Sequence, residues 1–404
     1  MCKYNIIWTY RKQIVVLLGA GAAIPWEEDN VFTAERIKNI FLTDSKFGKI
    51  GEKTVGQYLF DILEKYYQQK LSDFKKEESE QVSPNFETFI AILEDMMTYK
   101  FGETDLFTSL IPSIFKTKEE IDNFLNSRSN DDIIDLYYHY IQLITNEIDK
   151  YNKRVLTKSK QNKLLLFFVK FFLDKGYSIK FYTTNYDDLI PQILLESQYK
   201  DLLYEGFNNG YFNFDLNRFK EAPISHFNLH GSIFLRPMYM EEKNRESLIY
   251  NKKSKSIPLR PPNGAVVGNP FNKLPSSPII TGYNKTQRIV NEPFNLGFNA
   301  FVNDINSCCG LLTVGYSFSD PHINSILSSF TNWDKVKFVN IDLLKRNFDA
   351  KQFLKDFNLY NVTEMEKGDE DEDWFHDKSG KKHIYKQGFK KFLEDNKSSW
   401  KFLC

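Results

Sequence analysis

The chain has 404 residues, 42% hydrophobic and 26% charged, the balance of a soluble globular protein long enough to bury a sizeable core. Its 53 basic and 53 acidic residues cancel, which excludes a global field for nucleic acid or an anionic membrane. No run approaches the ~18 consecutive apolar residues of a membrane span, and Met1–Tyr10 lacks the order of a secretory signal. The four cysteines, Cys2, Cys308, Cys309 and Cys404, form no CxxC pair. Such usage fits a reducing compartment, so a cytoplasmic location is expected and structural zinc is not.

In chain order, Gln13–Leu18 (QIVVLL) is a continuous, β-branched apolar run ending in Gly19-Ala20-Gly21. It predicts a buried parallel strand, a tight turn and then a helix. From Asn30 to about Gly176 the pattern changes to three- and four-residue apolar spacing, over Thr54–Lys70, Asn85–Met97, Asp131–Tyr151 and Gln161–Lys175. These predict helices, with Glu77–Glu80 as a solvated loop and Ser83-Pro84 and Ile111-Pro112 as interruptions. Strands resume at Ser178–Thr184 and Ser225–Leu229. Arg236–Asn295 is rich in Pro, Gly, Asn, Ser and Lys and reads as irregular. Gly310–Gly315 and Val336–Ile341 are further buried strands, flanking a helix over Pro321–Phe330. The chain after Leu344 reads as helical and charged, broken by the acidic run Asp369–Asp373.

The expected fold is therefore α/β: a Rossmann-like parallel sheet with helices on both faces and a large, mainly helical insertion. The core would comprise residues 1–29 and 177–345, with a loop insertion at about 236–300. Residues 30–176 would be the helical insertion and 346–404 a helical tail.

Open α/β sheets bind ligands outside the carboxyl ends of their strands, and the residues able to do chemistry cluster there. The Gly19-Ala20-Gly21 turn lets backbone N–H groups approach a pyrophosphate at a helix start, or is a tight turn and nothing more. In Thr183-Thr184-Asn185-Tyr186-Asp187, Asn185 offers donors and an acceptor to a ribose or carboxamide and Asp187 can accept from an amide. The same residues are good helix caps. His230, before Gly231, is the best candidate base, because an imidazole can take a sugar hydroxyl proton near neutral pH. Of the other five histidines, His139 reads as packing, His226 as structural, His376 and His383 as tail residues, and His322 as undirected. Gly315 and Ser317 could hold a second phosphate or ribose, and Asn340 the other ribose. Taken one at a time, turn chemistry and capping explain them better. Nothing has metal-ligand spacing. Cys308-Cys309 read as small core residues.

Taken in order, GAG…P (Gly19 to Pro25), TTNYD (Thr183 to Asp187), LHG (Leu229 to Gly231) and VGYSFSDPHI (Val314 to Ile323) resemble the sirtuin-like family. The nearest likeness is to NAD-hydrolysing domains of bacterial anti-phage defence. The resemblance implies a Rossmann-like NAD-binding fold in which Gly19, Ala20, Gly21 and Pro25 cradle the phosphates. Asn185, with Thr184 before it, and Asp187 would engage the nicotinamide ribose, and His230 would be catalytic. Gly315 and Ser317 would serve the second phosphate and ribose, and Asn340 the adenosine side.

Two departures narrow the reading. Ala22 stands where the family has a serine, and Pro25 is followed by Trp26-Glu27-Glu28 rather than Asp-Phe-Arg. With no CxxC pairs there is no zinc ribbon, so the resemblance implies NAD cleavage to nicotinamide and ADP-ribose rather than protein deacylation. It implies NAD as substrate, no other cofactor and no metal. It also implies an NAD-depleting role in defence, a homo-oligomer, a HerA-type ATPase as partner and nucleic acid only indirectly. The rival readings are a nucleotide sensor without turnover and a nuclease component using Lys252, Lys253, Lys255 and Arg260.

Overall fold

The apolar run Gln13–Leu18 is buried on both faces because it takes the centre of a nine-stranded sheet. It lies parallel to Ser178–Thr183 on one side and to Gly310–Val314 on the other. Ile224–Asn228 and the two-residue strand Leu203–Tyr204 extend the first side. Lys337–Ile341 and Lys382–Tyr385 extend the second, all of them parallel. Trp374–Asp377 and Met365–Lys367 then close that edge antiparallel. This computed structural model describes residues 12–26, 34–73, 84–100, 124, 127–152, 158–242, 245–252, 266–269, 272–275, 277–281, 285–329, 333, 335–343, 365–367, 373–377, 379–395 and 400–403.

The chain divides into two compact units. The first comprises Met1–Val31, Tyr151–Ser232 and Ile289–Cys404 and holds the sheet. Side-chain alternation sends successive residues of each strand to opposite faces. Val15, Leu17, Leu311 and Phe338 point into one apolar cluster with Phe298, Phe301 and Ile305 of the helix Phe294–Ser307 and Ile323 and Leu327 of Pro321–Ser329. On the other face, Phe168 and Phe172 of Ser159–Asp174 and Phe392 of Gly388–Glu394 pack with Trp400. Both faces are covered, as the α/β reading requires.

The second unit comprises Phe32–Lys150 and Ile233–Arg288. Its helices Val55–Asp73, Phe86–Lys100 and Asn130–Asn152 lie where the apolar spacing predicts them, and Ala34–Thr43 is a further helix that the spacing did not single out. Phe41, Phe89 and Tyr140 meet there with ring centroids 4.5–5.0 Å apart. Arg288 is ion-paired to the fully buried Glu94 at 2.7 Å and donates to the Tyr137 hydroxyl at 3.2 Å.

Three expectations differ from the structure. Among the described residues, the segment after Leu344 supplies three strands, one short α-helix and a 3₁₀ turn, because Trp374, Ile384 and Tyr385 are spaced for a sheet edge that charged neighbours conceal in the sequence. Within 236–295, Leu235–Glu242 pairs with Arg245–Lys252 and Val266–Asn269 with Asn272–Pro275, two hairpins in a stretch read as irregular. The element after the glycine turn is a seven-residue 3₁₀ segment, Ala20–Trp26, not an α-helix. Glu77–Glu80, Ile111-Pro112, Lys253, Lys255, Arg260, residues 369–372 of the acidic run, Cys2 and Cys404 lie outside the described residues. No described helix is long and apolar enough to cross a membrane.

Candidate functional site

The strand order reverses between Gln13–Leu18 and Gly310–Val314: the chain builds outward on one side and returns to start the other. That is the switch point where open α/β sheets place ligands. There the Gly19–Gly21 turn and Gly315 lie backbone to backbone. Gly19 N–H donates to Val314 O at 2.9 Å and Gly21 N–H to Gly315 O at 3.0 Å. A Cβ on Gly21 would fall 2.7 Å from Gly315 Cα, and one on Gly315 2.3 Å from Gly21 Cα. Gly315 also has φ +53°, so this contact demands glycine on both sides. Two of the three N–H groups that a phosphate was expected to take are thus spent on the neighbouring loop. Ala20 is the exposed member of the turn, and Pro25 is buried within the 3₁₀ segment Ala20–Trp26.

Beside this contact lies a cavity of about 240 Å³ lined by Gly21, Ile24, Gly315, Ile341, Asp342 and Gly388, with Lys390 and Lys391 on its wall. The volume falls short of the roughly 300–1,000 Å³ of drug-sized sites and suits part of a dinucleotide. Asp342 directly follows the strand Lys337–Ile341, where burial raises its carboxyl pKa although Leu343 N–H donates to it at 2.7 Å. A strand-end carboxylate can accept from ribose hydroxyls. Asp342 escaped the sequence reading, which chose Asn340 instead. Asn340 is fully buried on the opposite face of its strand from Ile341, accepts from Thr313 Oγ1 at 2.7 Å, and does not line this cavity.

The next strand end holds Thr184, Asn185 and Asp187. Thr184 N–H donates to Leu18 O at 3.0 Å, and Asn185 Nδ2 to Gly19 O at 2.9 Å, tying this strand end to the glycine turn. Asp187 is buried and accepts from Leu189 N–H at 3.0 Å, one residue ahead of Asp188, the N-cap of the helix Leu189–Leu195, whose side chain makes no capping hydrogen bond. Asn185 and Asp187 line a second cavity with Leu18, Ala22, Ala23 and His226. At about 10 Å³ it admits at most one water. Ala22 therefore stands at this wall, where the related serine would place a hydroxyl. His226, read as structural, shares the wall and is 2% exposed.

His230 follows the strand Ile224–Asn228 in a turn closed by Gly231 N–H to Asn228 O at 3.2 Å, with Gly231 at φ +83°. It is 2% exposed and does not line the small cavity. Its Nε2 instead lies 2.7 Å from His322 Nε2. Sequence reasoning missed this partner, because 92 residues separate the two and only the sheet brings them together. Leu229 N–H donates to Thr183 O at 2.8 Å, so the Asn185 and His230 strand ends are adjacent.

Gly315 opens the loop to Pro321–Ser329. Ser317 is exposed and bonds Ser319 Oγ at 2.8 Å. Phe318 is buried at φ +55°, a strained conformation for an aromatic residue. Asn324 Nδ2 holds it through Phe318 O at 2.6 Å, and Tyr316 Oη donates to Asn324 Oδ1 at 3.0 Å.

A family model described as a SIR2-like domain matches residues 179–359. No curated protein matches the chain. The match supports a sirtuin-like protein with NAD-related activity in general, over the segment that carries Asn185, His230, Gly315 and Asn340. The Gly19–Gly21 turn lies outside it and is tied to it by the Gly21–Gly315 contact.

Proposed function

We propose that the protein hydrolyses NAD at the nicotinamide–ribose bond, releasing nicotinamide and ADP-ribose. The observation that carries the reading is the junction of the Gly19–Gly21 turn with Gly315 at the switch point. Beside it lies the Asp342-lined cavity, and Asn185 and His230 stand on the two adjoining strand ends. On this reading the adenosine half lies toward Asp342, Lys390 and Lys391, and the nicotinamide ribose toward Asn185. Departure of nicotinamide leaves an oxocarbenium-like ribose that Asn185 orients. His230 takes a proton from a ribose hydroxyl or from the attacking water, and water completes the hydrolysis. The small cavity must widen to admit the ring, so ligand entry moves the Asn185 wall.

Uncontrolled NAD hydrolysis would poison the cell that makes the enzyme. The reading therefore includes restraint by assembly with further copies or with a HerA-type ATPase, and a role in anti-phage defence. The test is product analysis of NAD incubated with the purified chain, alone and with the product of the neighbouring gene. Nicotinamide and ADP-ribose in equal amounts support the reading. NAD binding without nicotinamide release makes the protein a nucleotide sensor. DNA binding that falls steeply with salt would favour the nuclease reading.

A further inference from the structure

The turn after Asn228 and the start of the helix Pro321–Ser329 bring three metal-competent side chains to one point. One ligand atom each from His230, Asp320 and His322 lies within 4.8 Å of the others, the one such group among the described residues. The two Nε2 atoms are 2.7 Å apart. We propose that His230, His322 and Asp320 form a site for one first-row transition-metal ion, zinc in particular. We further propose that metal in this site holds back the hydrolysis described above by occupying His230 Nε2. The regulatory half rests on the proposed function; the binding half does not.

Two imidazoles and a carboxylate suit zinc rather than magnesium or calcium, which take oxygen ligands. Three protein ligands leave the fourth tetrahedral position to water. Zn–N bonds of ~2.0–2.1 Å set tetrahedral nitrogens about 3.3 Å apart, so the pair has to open by roughly 0.6 Å from its present 2.7 Å.

The ligands are held from both sides. Gly231 closes the turn beneath His230, and Ser232 Oγ next to it donates to Asp188 Oδ1 at 3.0 Å. Asp320 O accepts from Asn324 N–H at 3.0 Å, and the His322 ring packs 5.6 Å from that of Phe298. A nitrogen that gives its lone pair to a metal cannot accept a proton, so metal binding and general-base action at His230 Nε2 exclude one another. The competing account is a plain hydrogen bond, one Nε2–H donating to the other Nε2, with no affinity for metal.

The full chain, stripped with a chelator, is titrated with Co²⁺ and then Zn²⁺. One equivalent of Co²⁺ should bind with visible bands of a four-coordinate nitrogen and oxygen site. The near-ultraviolet thiolate band that Cys308 or Cys309 would produce should be absent, and Zn²⁺ should displace the cobalt. Asp320→Asn and His322→Gln should each weaken binding about tenfold or more, with folding checked by thermal melting. Nicotinamide release should fall in step with occupancy and return with chelator. Sub-stoichiometric binding, a thiolate band, or unchanged affinity in both folded variants overturns the site. If both variants unfold, the cobalt spectrum of the parent protein decides it. Stoichiometric binding with unaltered nicotinamide release overturns the regulatory role. A chain that releases no nicotinamide under any condition removes the proposed hydrolysis and its regulation together, while the cobalt titration still decides the metal site.

Discussion

His230 and Gly315 separate the chemical from the architectural demands of the site. General-base action is worth ~10²–10⁴-fold, so His230→Ala should lower nicotinamide release by about that factor while NAD binding, followed by calorimetry, survives. Parental turnover in that variant would remove His230 from the mechanism. Gly315 answers to a different constraint, since its φ is +53° and an added Cβ would meet Gly21 Cα at 2.3 Å. Gly315→Ala must move the backbone of the first turn as well as adopt a strained φ. Strain of that kind costs of order 1–3 kcal/mol even without a clash, so a clear fall in melting temperature together with weaker NAD binding is expected. A variant as stable as its parent would mean that the two turns do not pack as described. Cys308 makes no such demand: it is a buried thiol whose pKa burial pushes up to about 12, too high for a nucleophile at neutral pH.

Among the elements, the antiparallel edge built from Trp374–Asp377 and Lys382–Tyr385 carries the clearest pH dependence. His376 and His383 face each other in register, with their Nδ1 atoms 2.6 Å apart. Burial first, and His376 second, lower the His383 pKa to about 4, against ~6.5 for an exposed imidazole. The unfolded chain therefore binds a proton that the folded one refuses between those values. Stability rises with pH across that window and is lost on acidification, by up to about 3 kcal/mol from this group. Equilibrium unfolding between pH 4 and 7 should show the slope, and His383→Phe should flatten it if the fold tolerates the ring. An unchanged slope in that variant would assign the acid sensitivity elsewhere. This edge was the part of the sheet least visible in the sequence. Lys381, Lys382 and Lys386 interrupt the apolar alternation, and Lys382 is nonetheless buried, donating to the carbonyls of Trp333 and Val336.

For the molecule as a whole, the two units each assemble from segments distant in sequence, and buried polar pairs help to fasten those segments. In the second unit Arg288, from the later segment, meets Glu94 and Tyr137 of the helices. Removing one partner of a buried ion pair leaves an uncompensated charge, a loss of ~3–5 kcal/mol. Arg288→Met should therefore destabilise strongly, and Arg288→Met with Glu94→Gln should recover much of the loss. A double variant no more stable than the single one would show that the pair does not fasten the segments.

The amino-acid sequence by itself determined the α/β class, the central strands and the four long helices, because burial on two faces or on one helical stripe writes a local apolar period that survives without context. It also placed Gly19, Asn185, His230 and Gly315 at strand ends, since turns after buried strands carry their own residue chemistry. Only the tertiary structure decided which of these residues meet. It spent the N–H groups of Gly19 and Gly21 on the neighbouring loop, turned Asn340 away from the cavity that Asp342 lines, and set His322 against His230. Such pairings depend on strand order and on the parity of each side chain within its strand, and the order in which strands join a sheet leaves no periodic trace in the chain that encodes it.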